Sequence, residues 1–93
     1  MAKNAVYRNS ERTEERAKEK EKLQQAFIER LNDLIGDSTY MAFADRIGVT
    51  PAAVWHYSHG SRFPDVIALA NIADCCGVTM DWLVGRENVE NSV

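Results

Sequence analysis

Five glycines divide the chain after residue 22 into short segments, and their spacing strongly limits the fold. Each segment carries apolar residues three or four apart, and each ends at one of Gly36, Gly48, Gly60, Gly77 and Gly85. This is the period of a helix with one buried face, and glycine commonly ends helices because it adopts left-handed conformations without strain. No segment alternates apolar and polar residues as a half-buried strand does. The sequence therefore predicts a compact all-α domain of five helices joined by short loops.

Residues suited to N-terminal caps precede four of the predicted helices. Ser38 or Thr39 begins the second, and Thr50 begins the third, with Pro51 at a position where its missing N–H costs nothing. The third is expected to run through about Tyr57 and to end near Gly60. Pro64 with Asp65 begins the fourth helix, and Thr79 begins a short fifth helix over residues 80–84.

Apolar residues on one side of each helix predict the core. The first helix contributes Leu23, Phe27, Leu31, Leu34 and Ile35, the second Phe43, Ala44 and Ile47, and the fourth Val66, Leu69, Ile72, Ala73 and Cys76. Trp82 of the fifth helix is also expected to pack in the core.

The sequence predicts three parts: an N-terminal extension (1–22), a domain (23–86) and a tail or start of a linker (87–93). The extension is almost wholly charged from Ser10 onward. Glu14 and Lys18 stand four apart in the order that supports a solvated helix, although so polar a segment is also compatible with disorder. A basic arm that touches phosphates and a helix that assists dimerisation are further interpretations.

Several functional classes have no support in the sequence. The two cysteines, Cys75 and Cys76, are adjacent and form neither a disulfide framework nor a C-x-x-C pair. His56 and His59 lack a third partner for a metal site, and no nucleophile, carboxylate pair or phosphate loop suggests an enzyme. We expect no cofactor. No leader or apolar run of membrane-spanning length occurs, so a cytoplasmic protein is expected.

The segment from residue 40 to residue 60 has the pattern of a helix-turn-helix. Ala44 is small where a second helix crosses, Gly48 permits the turn, and Val54 fills the angle between the helices. The surrounding run resembles the lambda-repressor-like family, also called Cro/CI-type or XRE-like. The matching motifs are Gly48-Val49-Thr50, Val54, Tyr57, Gly60, Pro64, Ile72-Ala73 and the closing GVTMDWLVG. The resemblance spans about residues 23–86. Within the family, the chain resembles the N-terminal domains of temperate-phage immunity repressors.

The resemblance implies a dimeric repressor that binds a palindromic double-stranded DNA operator with residues 51–57 in the major groove. The positions that would read bases are Thr50, Pro51, Ala52, Trp55 and His56. The positions that would contact phosphate are Tyr40, Ser58, His59, Ser61 and Arg62. Such repressors commonly carry a separate C-terminal oligomerisation domain, which this sequence does not include.

Two features depart from the expected pattern of a DNA-reading helix. Pro51 and Ala52 cannot make the bidentate contacts that discriminate bases, so DNA shape would carry more of the specificity. The net charge is −3, with +1 over residues 1–35 and −4 over residues 36–93, whereas nucleic-acid binders are usually basic. An antitoxin-like or adaptor module that presents Trp55 to a partner protein is therefore the alternative.

Overall fold

A computed structural model describes residues 2–87, with side-chain surroundings for residues 12–87. Five helices account for its regular structure: α1 (Ala2–Ile35), α2 (Tyr40–Ile47), α3 (Pro51–His59), α4 (Val66–Cys76) and α5 (Met80–Leu83). The predicted all-α, five-helix fold is confirmed. Most of the predicted tail, residues 88–93, lies outside the described residues. No helix of the described part is both long and apolar enough to cross a membrane.

Helices α2 to α5 begin at the predicted N-terminal caps. The side chains of Thr39, Thr50, Asp65 and Thr79 each accept a hydrogen bond from the backbone N–H three residues later. Such a bond satisfies one of the N–H groups that the first helical turn leaves without a partner. At Gly60, which ends α3 with φ +76°, a side chain would also meet a neighbour, because an added Cβ would lie 2.6 Å from Ile28 Cδ1.

The core forms around the C-terminal half of α1. Phe27 and Leu31 are at most 2% exposed, and the Phe27 ring meets those of Tyr57 and Phe63 edge-on at centroid distances of 6.4 and 6.1 Å. These rings join α1 to the end of α3 and to the loop that follows it. The other buried apolar residues are Ile35, Phe43, Ala44, Ile47, Ala53, Val54, Ile72, Ala73 and Leu83.

Three details of the predicted helices differ from the structure. α1 is one continuous helix from Ala2, so it crosses the predicted boundary at residue 22, and the solvated-helix interpretation of the extension matches its conformation. α3 runs two residues beyond Tyr57, and α5 ends at Leu83. The fifth helix is one residue shorter than predicted because Val84 already leaves helical geometry, with φ −101° and ψ 11°.

One predicted core residue is exposed, Val66, and five others are half-buried rather than buried: Leu23, Leu34, Leu69, Cys76 and Trp82. Val66 is 73% exposed, so its assignment to the inward stripe is wrong: its side chain lies in the first turn of α4 and faces solvent. Trp82 is half-buried and packs against the core. The Arg30 guanidinium lies 4.6 Å from the centroid of the Trp82 ring, a cation–π arrangement.

Candidate nucleic-acid interface

Buried contacts fix α3 against α2. Ala44 is 1% exposed and Val54 is fully buried, so the two helices touch where the sequence predicted a close crossing. Gly48 has φ +73°, and the Val49 N–H donates to the Ala44 carbonyl at 3.0 Å. Asn71 of α4 makes a hydrogen bond that the sequence did not suggest: its Nδ2 donates to the Ile47 carbonyl of α2 at 2.5 Å. Buried contacts therefore fix α2 against α3, and α4 anchors the C-terminal end of α2.

The five predicted base-reading residues lie along one side of α3. Pro51, Ala52, Trp55 and His56 occupy positions four apart in two pairs, which places them on the same side of a helix. Pro51 and Ala52 are exposed, Trp55 is 43% exposed and His56 is half-buried. The Thr50 hydroxyl accepts from the Ala53 N–H at 3.1 Å, which leaves its hydrogen free to donate outward. This side of α3, Thr50 to His56, is hereafter the reading face.

A stack of two rings continues the reading face toward the end of α3. The Trp55 and His59 rings are nearly parallel, with centroids 4.1 Å apart and an angle of 16°. His59 Nδ1 lies 2.8 Å from the Trp55 carbonyl oxygen. Because a carbonyl only accepts, Nδ1 carries a hydrogen, and Nε2 of the neutral ring is an acceptor. Phosphate oxygens also accept, so only the protonated imidazolium of His59 donates to a phosphate through Nε2.

Ser58 does not share the exposed surface of the other predicted residues. It lies in the last turn of α3 and is only 6% exposed. Its Oγ lies 2.9 Å from the Trp55 carbonyl oxygen, 3.0 Å from His59 Nδ1 and 3.4 Å from the Tyr40 hydroxyl. This burial gives no support to a direct phosphate contact by Ser58. The hydroxyl instead links the start of α2 to the end of α3 and positions Tyr40 and His59.

The turn after α3 presents Ser61 and Arg62 to solvent. Ser61 Oγ lies 2.7 Å from His56 Nδ1, and the Ser61 N–H donates to the His56 carbonyl at 3.0 Å. Asn32 of α1 holds the last turn of α3, just before this loop, because its Nδ2 donates to the Ser58 carbonyl at 3.1 Å. Neither Asn32 nor the bridging role of Ser58 is predictable from the sequence, since both depend on how α1 packs against α3.

The described residues contain no cluster suited to metal chemistry. No group of three or more His, Cys, Asp or Glu side chains within the described part is placed to hold a metal ion. Cys75 is exposed and Cys76 is half-buried. Burial raises the pKa of the Cys76 thiol above its ordinary value, while the nearby charge of Arg46 acts in the opposite direction. Burial therefore favours the neutral form of the Cys76 thiol.

Comparison with known proteins gives one curated relative. The chain is 38% identical over 52 residues to "Uncharacterized HTH-type transcriptional regulator YqaE" of Bacillus subtilis (strain 168). The similarity covers 56% of this chain and 45% of that protein, so the chain spans about half the length of the relative that it matches. No family model matches the chain, and no solved structure matches it. The similarity, together with the contact between α2 and α3, supports a relationship to helix-turn-helix transcriptional regulators.

Proposed function

We propose that this chain is a sequence-specific DNA-binding transcriptional repressor. Two copies bind the two halves of a palindromic operator, and each inserts the N-terminal part of α3 into the major groove. The observation that carries the proposal is the reading face: five exposed or half-buried residues on one side of α3 and its N-cap, in a helix that packs against α2 and α1. Repression follows when the bound dimer excludes polymerase from the promoter.

The reading face favours a particular kind of base recognition. Pro51 and Ala52 offer only apolar surface, which suits contact with thymine methyl groups. His56 is the main polar reader, and its ring is oriented by the 2.7 Å contact between Nδ1 and Ser61 Oγ. The Thr50 hydroxyl donates to an acceptor on a base edge or to a phosphate. Because none of these groups makes a bidentate contact, the deformability of the operator supplies a large share of the specificity.

Phosphate contacts fix the register of the protein on the duplex. Arg62 is exposed and provides the strongest such contact, because a guanidinium stays charged at all working pH values. Tyr40 and Ser61 contribute neutral hydroxyl donors, and His59 contributes a donor when it is protonated. Ser58 acts through Tyr40 and His59 rather than on the DNA.

Selection of bound sequences from random duplex DNA tests the proposal. We expect enrichment of a two-part palindrome, with fluorescence anisotropy at low salt showing at least about a thousandfold preference over random DNA. The His56→Ala variant should lose preference at one or two positions of each half-site. No enrichment above random DNA at low salt would refute the proposal.

Trp55 is the observation that favours a protein partner as the second candidate. Its indole is 43% exposed beside positions that lack amide and guanidinium groups, and aromatic residues are common anchors of protein interfaces. The Trp55→Ala variant separates the candidates. If α3 reads DNA, this change alters operator affinity or preference. If α3 binds only a protein, the wild-type chain itself selects no preferred sequence from random duplex DNA.

A further inference from the structure

The two histidines of the chain, His56 and His59, lie about one turn apart on α3 and have different partners at Nδ1. His59 Nδ1 lies 2.8 Å from the Trp55 carbonyl oxygen and 3.0 Å from Ser58 Oγ. Ser58 Oγ itself donates to that carbonyl at 2.9 Å, so both partners of His59 Nδ1 accept, and the neutral ring holds its hydrogen there. His56 Nδ1 instead faces the Ser61 hydroxyl at 2.7 Å. Because a hydroxyl both donates and accepts, the neutral ring of His56 can carry its hydrogen on either nitrogen, whereas that of His59 cannot.

Nε2 is the nitrogen of His59 that remains for a ligand. The side chain is exposed, and Nε2 has no hydrogen-bond partner among the described residues. The Trp55 ring stacks on the imidazole at 4.1 Å, and the Tyr40 ring meets it edge-on at 6.5 Å, so the ring is held in one orientation. The neutral ring presents a lone pair at Nε2, which forms no hydrogen bond with a phosphate oxygen. The protonated ring presents an N–H there, which a phosphate oxygen accepts.

The groups packed around the His59 ring carry no charge that would satisfy an imidazolium. The ring meets three side chains: the Tyr40 phenol of α2 and the Trp55 indole and Ser58 hydroxyl of α3. The charged or titratable side chains of α2, α3, the end of α1 and the adjoining loops form no hydrogen bond or ion pair with it: Asp33, Asp37, Asp45, Arg46, His56 and Arg62. A phosphate at Nε2 is therefore an anionic partner that this part of the fold does not itself supply.

We propose that operator binding takes up one proton at His59 of each copy, so that acidification strengthens the hold of this protein on its DNA. The inference rests on the proposed function, because it needs a DNA phosphate at Nε2. An anion at Nε2 stabilises the imidazolium more than the neutral ring, so the complex keeps the proton to a higher pH than the free chain does. Histidines ordinarily change charge between about pH 5 and pH 8. Affinity therefore rises as the pH falls through this range, and it levels off where the free chain is also protonated.

Fluorescence anisotropy on a duplex with one half-site, at constant ionic strength, measures the linkage between about pH 7.5 and pH 5.5. We expect the wild-type chain to bind at least about threefold more tightly at the lower pH, and log affinity to rise by at most about one for each pH unit, as for one proton. Sequence-selective binding whose affinity is independent of pH would overturn this inference alone. A chain that selects no sequence at any pH in this range would overturn the proposed function, and this inference with it.

Substitution of each histidine locates the proton. His59→Gln is neutral at every pH, so its affinity should no longer depend on pH. His59→Lys is charged throughout the range, so its affinity should also be independent of pH but tighter than that of His59→Gln at about pH 7.5. His56→Gln is the matched control one turn earlier on α3: it should change operator preference and keep the dependence on pH. Circular dichroism checks that every variant stays helical. A dependence that persists in His59→Gln, or that disappears in His56→Gln, would overturn the inference.

The hydrogen on Nδ1 is tested without DNA. In the His56→Gln variant, His59 is the one histidine that remains, so its ring nitrogens are assigned directly in a ¹⁵N NMR spectrum of the free chain. At mildly alkaline pH we expect a protonated Nδ1 and an unprotonated Nε2. A neutral ring with its hydrogen on Nε2 would overturn the inference whatever the DNA measurements show, because Nε2 would then donate to a phosphate without taking up a proton.

Discussion

Replacing Gly60 by alanine tests how tightly the end of α3 is packed against α1. Gly60 has φ +76°, and an added Cβ would lie 2.6 Å from Ile28 Cδ1, well inside van der Waals contact. Gly48 is the matched control, because its φ of +73° is almost the same but no atom lies within 4 Å of an added Cβ. The two substitutions therefore share the conformational cost and differ in the steric cost.

The magnitudes follow from these two costs. A left-handed alanine costs about 1–2 kcal/mol, partly offset by about 0.4–1 kcal/mol because alanine restricts the unfolded chain. Gly48→Ala should therefore lower the free energy of unfolding by about 1 kcal/mol. Overpacking adds about 1–3 kcal/mol, reduced here because Ile28 Cδ1 is the far end of a flexible side chain. We expect Gly60→Ala to cost about 2–3 kcal/mol in all.

Urea unfolding followed by circular dichroism measures both costs. Ile28→Ala removes the clashing atom. In a double-mutant cycle, the cost of Gly60→Ala should therefore be about 1 kcal/mol smaller in the Ile28→Ala background than in the wild type. A third glycine extends the series: at Gly85 an added Cβ would lie 2.5 Å from Ala26 Cβ, which cannot rotate away, so Gly85→Ala should cost more than Gly60→Ala. Equal costs for Gly48→Ala and Gly60→Ala would refute the steric argument.

Three further predictions concern Arg62, Ser58 and the two cysteines. Arg62→Ala should weaken binding to every DNA sequence alike and reduce the slope of log affinity against log salt by about one. A change confined to operator preference would contradict a phosphate contact by Arg62. His56→Ala, by contrast, should change operator preference. Ser58→Ala should cost about 1 kcal/mol of stability and weaken operator binding. In a Trp82→Phe background, which leaves Trp55 as the one tryptophan, it should also increase the mobility of Trp55 measured by fluorescence anisotropy; unchanged Trp55 mobility would argue against a positioning role. Cys76 should react with a thiol reagent at mildly alkaline pH more slowly than Cys75, because its raised pKa lowers the thiolate fraction; mass spectrometry of the two single-serine variants measures both rates, and a faster Cys76 would contradict the effect of burial.

The sequence by itself determined the five helices and most of their ends. The caps at Thr39, Thr50, Asp65 and Thr79 act on the backbone of their own helix within three residues, so local chemistry is sufficient to locate them. The spacing of Ala44, Gly48 and Val54 likewise predicts the close contact between α2 and α3, because small, flexible and branched residues are each needed at one position. Specificity of the reading face for a particular operator remains a prediction.

Only the tertiary structure decided which residues of the predicted interface point outward. Ser58 looked like a loop residue, yet it is buried, because α3 continues to His59 and its last turn packs against Tyr40 and Asn32. Val66 matched the inward period, yet its side chain is 73% exposed in the first turn of α4. Helical periodicity gives the side of a helix on which a residue lies. Whether another element covers that side depends on contacts between residues far apart in the chain, such as that of Asn32 with Ser58, which local sequence does not encode.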